Sequence, residues 1–117
     1  MPAVIQALTY DLYLEQNSTF QVVVQLIATR DNLPFDLTGY TIRSHIRKHY
    51  KSTSIIGQFE CVVADPLSGK FYMLMTDEET RALPVGDFVY DIVVEDNNGN
   101  KYRAVEGALE VSPYVTL

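Results

Sequence analysis

The stretch from Thr76 to Thr116 reads TDEETRALPVGDFVYDIVVEDNNGNKYRAVEGALEVSPYVT and contains the clearest structural signals in the chain. Its opening predicts one helical turn over residues 77–82. Thr76 and Glu79 stand three residues apart, the spacing of a capping box, in which each side chain bonds to the backbone N–H of the other residue. Pro84 ends the turn, because proline cannot continue a helix without the loss of a backbone hydrogen bond.

The remainder of this stretch predicts a β-hairpin. Apolar residues alternate with polar or smaller ones on both sides of Asp96–Asn100, a turn that contains glycine. The side chains expected to face the core are Phe88, Tyr90, Ile92 and Val94 on the first strand and Val105, Gly107, Leu109 and Val111 on the second. Nothing in the hairpin has a pattern typical of catalysis, so it predicts a structural role.

The same two-residue periodicity extends through the rest of the chain and predicts about seven strands. The first alternation predicts one half-buried strand, whose inward side chains are Leu8, Tyr10, Leu12 and Leu14. Long paired strands near both chain ends favour an all-β antiparallel sandwich, although a small open barrel has a similar pattern. We expect one domain over residues 1–117, with an N-terminal arm at 1–7 and a C-terminal tail at 112–117.

The amino-acid composition limits the classes of protein to which the chain can belong. The 117 residues are 47% hydrophobic and carry a net charge of −6, which is typical of a globular chain and unfavourable for binding to nucleic acid. A single cysteine, Cys61, excludes an internal disulfide framework. No apolar run is long enough to span a bilayer. From the negative net charge and the short apolar runs together, we expect neither a nucleic-acid nor a membrane partner.

The residue types that carry chemistry are few and poorly placed for it. His45 and His49 lie about 13 Å apart along a strand, too far for one metal ion to bind both. Cys61 follows a buried alternation between apolar residues, without an activating base nearby in sequence. The carboxylates of the hairpin are better explained as a solvated face than as a catalytic pair. The sequence thus predicts no catalytic residue, no metal site and no cofactor, and we expect a protein that is not an enzyme.

Basic residues concentrate on one predicted strand, from Tyr40 to about His49. Its outward side chains are Arg43, His45, Arg47 and His49. Two interpretations are open. An edge strand can be kept soluble by charge, or the stripe can be a docking surface for an acidic neighbour, possibly another copy of the chain.

Apolar residues in unusual places add further candidates for an interface. The chain begins with Val4 and Ile5 and ends with Tyr114 and Val115, whereas chain ends are usually polar. These residues pack either on the chain's own core or on a neighbouring subunit. Val89 and Val93 occupy outward positions on the hairpin, where a solvated face would carry polar side chains.

The order and spacing of many residues resemble a recurring small protein of tailed bacteriophages. The residues that carry the resemblance are Asp36–Tyr40, Ile46–Arg47, Glu79–Thr80, Leu83–Pro84, Gly86, Val89–Ile92, Gly99, Arg103, Glu106–Gly107, Val111, Pro113 and Val115–Thr116. The resemblance extends over nearly the whole chain, from about Leu8 to Thr116. The chain is similar to the immunoglobulin-like N-terminal module of siphophage baseplate proteins that anchor receptor-binding proteins.

This resemblance implies a non-enzymatic structural component of the virion, assembled in the host cytoplasm. It implies an immunoglobulin-like sandwich, contacts with other virion proteins, and homo-oligomers. The place in the particle is open: a tail, baseplate or neck subunit is the first expectation, and a capsid decoration protein is an alternative. A carbohydrate-binding β-sandwich module is a second alternative, because eight tyrosines are available to stack on sugars.

Overall fold

The computed structural model describes residues 8–28 and 30–116, together with the side chains of residues 10–28 and 30–116. Within these residues it contains eight strands and one helix: β1 Leu8–Thr9, β2 Leu12–Glu15, β3 Phe20–Gln25, β4 Thr41–Arg47, β5 Gly57–Asp65, β6 Lys70–Met75, α1 Asp77–Ala82, β7 Gly86–Glu95 and β8 Lys101–Ser112. The all-β class is confirmed. The helix lies where the capping box predicts it, and Thr76 and Glu79 make both bonds of that box.

The strands form one curved sheet. Its order is β1-β8-β7-β4-β5-β6-β3, with β2 following β1 along the same side of β8, so the sheet is seven strands wide. β5 is the corner: its residues Gly57–Phe59 pair with β4, and its later residues pair with β6. The sheet therefore curls toward barrel-like closure, and its two outermost strands, β2 and β3, are joined by a short turn.

The prediction that every strand pairing is antiparallel is wrong. β1 and β2 both run parallel to β8, with Leu8 opposite Val105 and Leu12 opposite Leu109. All other strand pairs are antiparallel, so the sheet is mixed. The physical reason is that alternation fixes which face of a strand is buried, whereas it carries no information on the direction of the neighbour.

The first predicted strand is in fact two strands, separated by Tyr10 and Asp11. Tyr10 was expected to point inward, yet its side chain is 64% exposed. Its backbone carbonyl instead accepts a 2.6 Å hydrogen bond from the hydroxyl of Tyr90, and the Asp11 carboxylate accepts one from the backbone N–H of Ala108. These bonds replace regular ladder pairing at this point.

The hairpin forms the centre of the fold. All four predicted inward side chains of β7 are buried, and so are the four predicted positions of β8. A register shift occurs where Ile92 pairs with Val105 and Val93 pairs with Arg103, which leaves Ala104 as an extra residue on β8. Ala104 and Val105 are both buried, because this bulge turns two consecutive side chains toward the core.

Two predicted boundaries need correction. β4 ends at Arg47, so His49 lies in the turn that follows it and not on the face of the strand. β8 continues to Ser112, so the C-terminal tail begins one residue later than expected. The N-terminal arm at 1–7 lies outside the described residues.

Candidate interaction surface

The candidate surface is the outer face of the three central strands β4, β7 and β8, which we call the β4–β7–β8 face. The pairing register sets Arg43 opposite Val93, His45 opposite Asp91, and Arg47 opposite Val89. Directly opposite residues of an antiparallel pair have Cβ atoms about 5 Å apart. The fold thus brings together Arg43, His45, Arg47, Val89 and Val93, five of the ten residues that the sequence predicts at an interface.

Three of the other five candidates lie elsewhere. His49 is exposed in the turn after β4. Tyr114 is 37% and Val115 is 97% exposed beyond the end of β8, so the Val115 side chain is not packed on the chain's own core. Val4 and Ile5 lie outside the described residues.

β4 is an interior strand, so the edge-strand interpretation of its basic residues is wrong. It pairs with β7 along its whole length and with β5 through Ser44–Ile46. Charges on an interior strand are not needed to prevent edge-to-edge pairing. The docking interpretation stays a prediction.

Acidic side chains on β7 and β8 pair with part of the basic stripe. Arg43 lies 3.6 Å from Glu95, and Arg103 lies 3.3 Å from Asp91 and 3.1 Å from Glu106. Because these pairs are about half exposed, each contributes only about 0–1 kcal/mol to stability. Their main effect is to hold the side chains in an ordered, alternating pattern of charge.

Arg47 differs from these arginines, because it has no carboxylate partner among the described residues. Its Nη1 donates a 2.7 Å hydrogen bond to the backbone carbonyl of Ser52 in the loop between β4 and β5. The guanidinium is half-buried and has five N–H donors. Most of its bonding capacity is therefore available to a ligand.

A groove of about 500 Å3 lies between Arg47 and β8, and we call it the Arg47 groove. This volume is within the range of about 300–1,000 Å3 typical of binding sites. The side chains that line it include His45, Arg47, Tyr50, Val89, Asp91 and Arg103, with Ser52 and Thr53 at one end. A second hollow, of about 140 Å3, continues it past His45 and Asp91 toward Arg43 and Lys101.

The loop after β4 forms one wall of the groove and is tied to the sheet. The hydroxyl of Tyr50 lies 3.4 Å from the carbonyl oxygen of Gly107 on β8, so the side chain reaches across β7. The Nζ of Lys48 donates to the carbonyl of Asp87 and lies 4.9 Å from the centre of the Phe88 ring. Burial, with Glu106 nearby, raises the pKa of Tyr50. The wall is thus ordered before any partner binds.

Sequence reasoning missed the groove itself. The paired residues of β4 and β7 carry a recognisable pattern, whereas Tyr50, Ser52 and Thr53 belong to a loop without periodicity. Arg103 pairs with Asp91 and Glu106, both acidic residues of the hairpin. In the sequence, the wall is indicated only by Tyr50, an aromatic residue among polar ones in the segment after the basic strand.

A second exposed surface lies on the opposite side of the fold. The outward side chains of β3, β6 and β5 place Val23, Tyr72 and Val62 side by side in one row. Val23 is 57% and Val62 is 42% exposed. This apolar row is short and is flanked mostly by polar residues.

The thiol of Cys61 is not in its reactive form. Burial, with a smaller contribution from Glu60, raises the pKa of Cys61 to about 12, so the thiol is protonated at neutral pH. A protonated thiol is a poor nucleophile. Among the described residues, no cluster of three or more His, Cys, Asp or Glu side chains is arranged to hold a metal ion.

Comparisons with known proteins give limited information. No protein-family model and no curated protein sequence matches the chain. Among solved structures, the chain is similar to CopC from Methylosinus trichosporium OB3b, with 12% sequence identity and a TM-score of 0.46, over 92% of this chain and 88% of that one. In the portion that the structure describes, no helix has the length and apolarity needed to cross a membrane.

Proposed function

We propose that this chain is a non-enzymatic structural subunit of a tailed-bacteriophage virion, assembled in the host cytoplasm and held in the particle by contacts with other virion proteins and with copies of itself. A tail, baseplate or neck position is the first candidate, and capsid decoration is the alternative within the same class. The observation that carries the proposal is the β4–β7–β8 face. It combines paired charges, half-buried apolar side chains and a groove on an interior part of the sheet.

The chemistry of this face favours a protein partner. Val89 and Val93 provide half-buried apolar contact area beside the ion pairs Arg43–Glu95 and Arg103–Asp91. Protein interfaces combine an apolar centre with a polar rim in this way, and arginine and tyrosine are enriched among the residues that dominate binding. Arg47 and Tyr50 are such residues, and both line the groove.

The arrangement of strands also supports a finer assignment of the fold, an immunoglobulin-like sandwich. In that fold three consecutive neighbours form one sheet and the remaining strands form the other. Here β8, β7 and β4 are neighbours, and β5, β6 and β3 are neighbours, with β5 as the connection. The resemblance to baseplate modules implies the same fold, so the two arguments agree.

A carbohydrate-binding module is the second candidate, on the basis of exposed tyrosines. Tyr13 is 73% and Tyr50 is 52% exposed, and Tyr50 lines a groove that also contains Asp91 and Arg103. Such groups bind sugar hydroxyls. Tyr13 lies on an edge strand and is not among the residues that line the groove, so the tyrosines do not form one stacking platform.

Mass spectrometry of purified phage particles that encode this chain tests the proposal. We expect the chain in the particles in stoichiometric amounts, and electron microscopy of particles labelled with an antibody to it should place it in the tail or on the capsid. A glycan array with the purified chain is the control for the second candidate. Absence from the particles, or specific glycan binding without self-association, contradicts the proposal.

A further inference from the structure

Charge is distributed unevenly over the molecule. Six of the nine Lys and Arg residues lie on the β4–β7–β8 face or in the loop after β4: Arg43, Arg47, Lys48, Lys51, Lys101 and Arg103. Five of the fifteen acidic residues share that face: Asp87, Asp91, Glu95, Glu106 and Glu110. The rest of the chain carries three basic and ten acidic residues. The face is therefore close to neutral or slightly positive, and the rest of the molecule is strongly negative.

This asymmetry makes the chain complementary to itself. Outside its own β4–β7–β8 face and the loop after β4, a second copy carries ten acidic and three basic residues. Complementary surfaces of this kind favour encounter between copies and fix their orientation. Contact between two different patches of one chain is heterologous, and such contacts generate rings when the rotation closes.

Within the face, the Arg47 groove has the chemistry to receive a carboxylate. Arg47 has no acidic partner in the described chain, although its planar guanidinium can bond both oxygens of a carboxylate. Val89 stands beside it on β7, and Tyr50 forms the wall. These two side chains offer apolar contact to the methylene groups of an acidic residue.

The first turn of α1 is the acidic segment with the most available carboxylates. It carries Asp77, Glu78 and Glu79 in sequence, all exposed. Glu79 is used in the capping box, whereas Asp77 and Glu78 have no ion pair among the described residues. The acidic residue of the hairpin turn, Asp96, already accepts hydrogen bonds from its own loop, which lower its pKa.

We infer that the Arg47 groove receives the acidic first turn of α1 from a second copy of the chain, with Arg47 bonded to the carboxylate of Asp77 or Glu78 and with Tyr50 against the side-chain stem. The inference rests on the proposed function, because it specifies how copies of a structural subunit contact one another. The two surfaces that meet are different parts of the molecule: the Arg47 groove of one copy and the first turn of α1 of the other.

Charge exchange tests this contact, with the self-association constant measured by sedimentation velocity. Arg47→Glu is expected to weaken self-association at least about tenfold, and so is the double variant Asp77→Lys/Glu78→Lys, since each places like charges opposite each other. A protein that combines all three substitutions should return to within about threefold of the original constant. Circular dichroism checks that each variant is folded.

Lys51→Glu is the matched control, because it makes the same change in net charge in the loop that follows Arg47 but does not line the groove. It should change the constant by less than about threefold. The inference is overturned if Arg47→Glu behaves like Lys51→Glu, or if the combined substitutions fail to recover association. If the original chain is found in particles but stays monomeric in solution, this contact is overturned and the proposed function stands. If the chain is absent from particles, the proposed function fails independently.

Discussion

The contact between Gly107 and the backbone of Tyr10 shows how much a single residue determines here. A methyl group at position 107 would overlap the carbonyl oxygen of Tyr10 and stand 2.6 Å from its carbonyl carbon. Glycine at this position therefore lets the segment between β1 and β2 approach β8 closely. This close approach is what allows the hydroxyl of Tyr90 to reach the same carbonyl.

Gly107→Ala should lower the free energy of unfolding by about 3 kcal/mol, because the atoms that meet the new methyl are backbone atoms, which cannot move independently. Denaturation by urea, followed by circular dichroism, measures the change. Gly57→Ala is the matched control: the new methyl there meets the end of the Leu83 side chain at 2.9 Å, which can rotate away. We expect a cost of about 1 kcal/mol or less there. Equal costs at the two glycines would contradict this explanation.

Tyr90→Phe should lower the free energy of unfolding by about 1–2 kcal/mol, because it leaves the Tyr10 carbonyl without its partner. The same residue gives a pH dependence. Burial raises the pKa of Tyr90, so the folded state holds this proton more tightly than the unfolded state. Stability is therefore full below about pH 10, the ordinary pKa of tyrosine, and falls as the pH rises above it.

Urea titrations between pH 7 and pH 11 measure both effects. The fall at high pH should be smaller in Tyr90→Phe, although not abolished, because the pKa values of Tyr40 and Tyr50 are raised too. Tyr13→Phe serves as the control, since this side chain is exposed, and it should match the original protein throughout. A pH profile unchanged by the loss of the Tyr90 hydroxyl would contradict the assignment.

At the level of helices and strands, local sequence signals predicted the helix and both strands of the hairpin. They did not predict pairings between residues that are far apart in the sequence. The capping box acts within four residues, and the alternation of β7 and β8 reflects burial of one face, so both are visible in sequence. The parallel pairing of β1 and β2 with β8 depends on residues that are about 97 positions apart, and nothing in their alternation specifies direction. The alternation also predicted an inward side chain for Tyr10, because it does not show that the strand is interrupted at Tyr10 and Asp11.

Thr76→Ala should lower the free energy of unfolding by about 1 kcal/mol, because the Thr76 hydroxyl oxygen accepts a 3.1 Å hydrogen bond from the backbone N–H of Glu79 at the start of α1. Thermal or chemical denaturation measures the loss. Thr76→Ser keeps the hydroxyl and should retain most of the stability. The role of the cap is refuted if the serine variant is as unstable as the alanine variant.

For the molecule as a whole, the sequence identified residues of the candidate face but did not reveal the shape of that face. The residues Arg43, His45, Arg47, Val89 and Val93 were identified from two separate strands, and the pairing of β4 with β7 brings them together. The groove beside them could not be predicted, since it depends on the path of the loop after β4 and on the reach of Tyr50 to β8. The imbalance of charge between faces likewise emerges only when the strands are placed in the sheet.

The inferred contact joins the β4–β7–β8 face of one copy to the acidic first turn of α1 of another through opposite charges. Sedimentation velocity of the unmodified chain, over a range of protein concentrations at low and at high ionic strength, tests it most directly. We predict association that increases with concentration and weakens by about tenfold or more between roughly 0.05 M and 0.5 M salt, because exposed charges are screened over a shorter distance at higher salt. A chain that sediments as a monomer at every concentration and salt level, or association that salt leaves unchanged, would contradict the account.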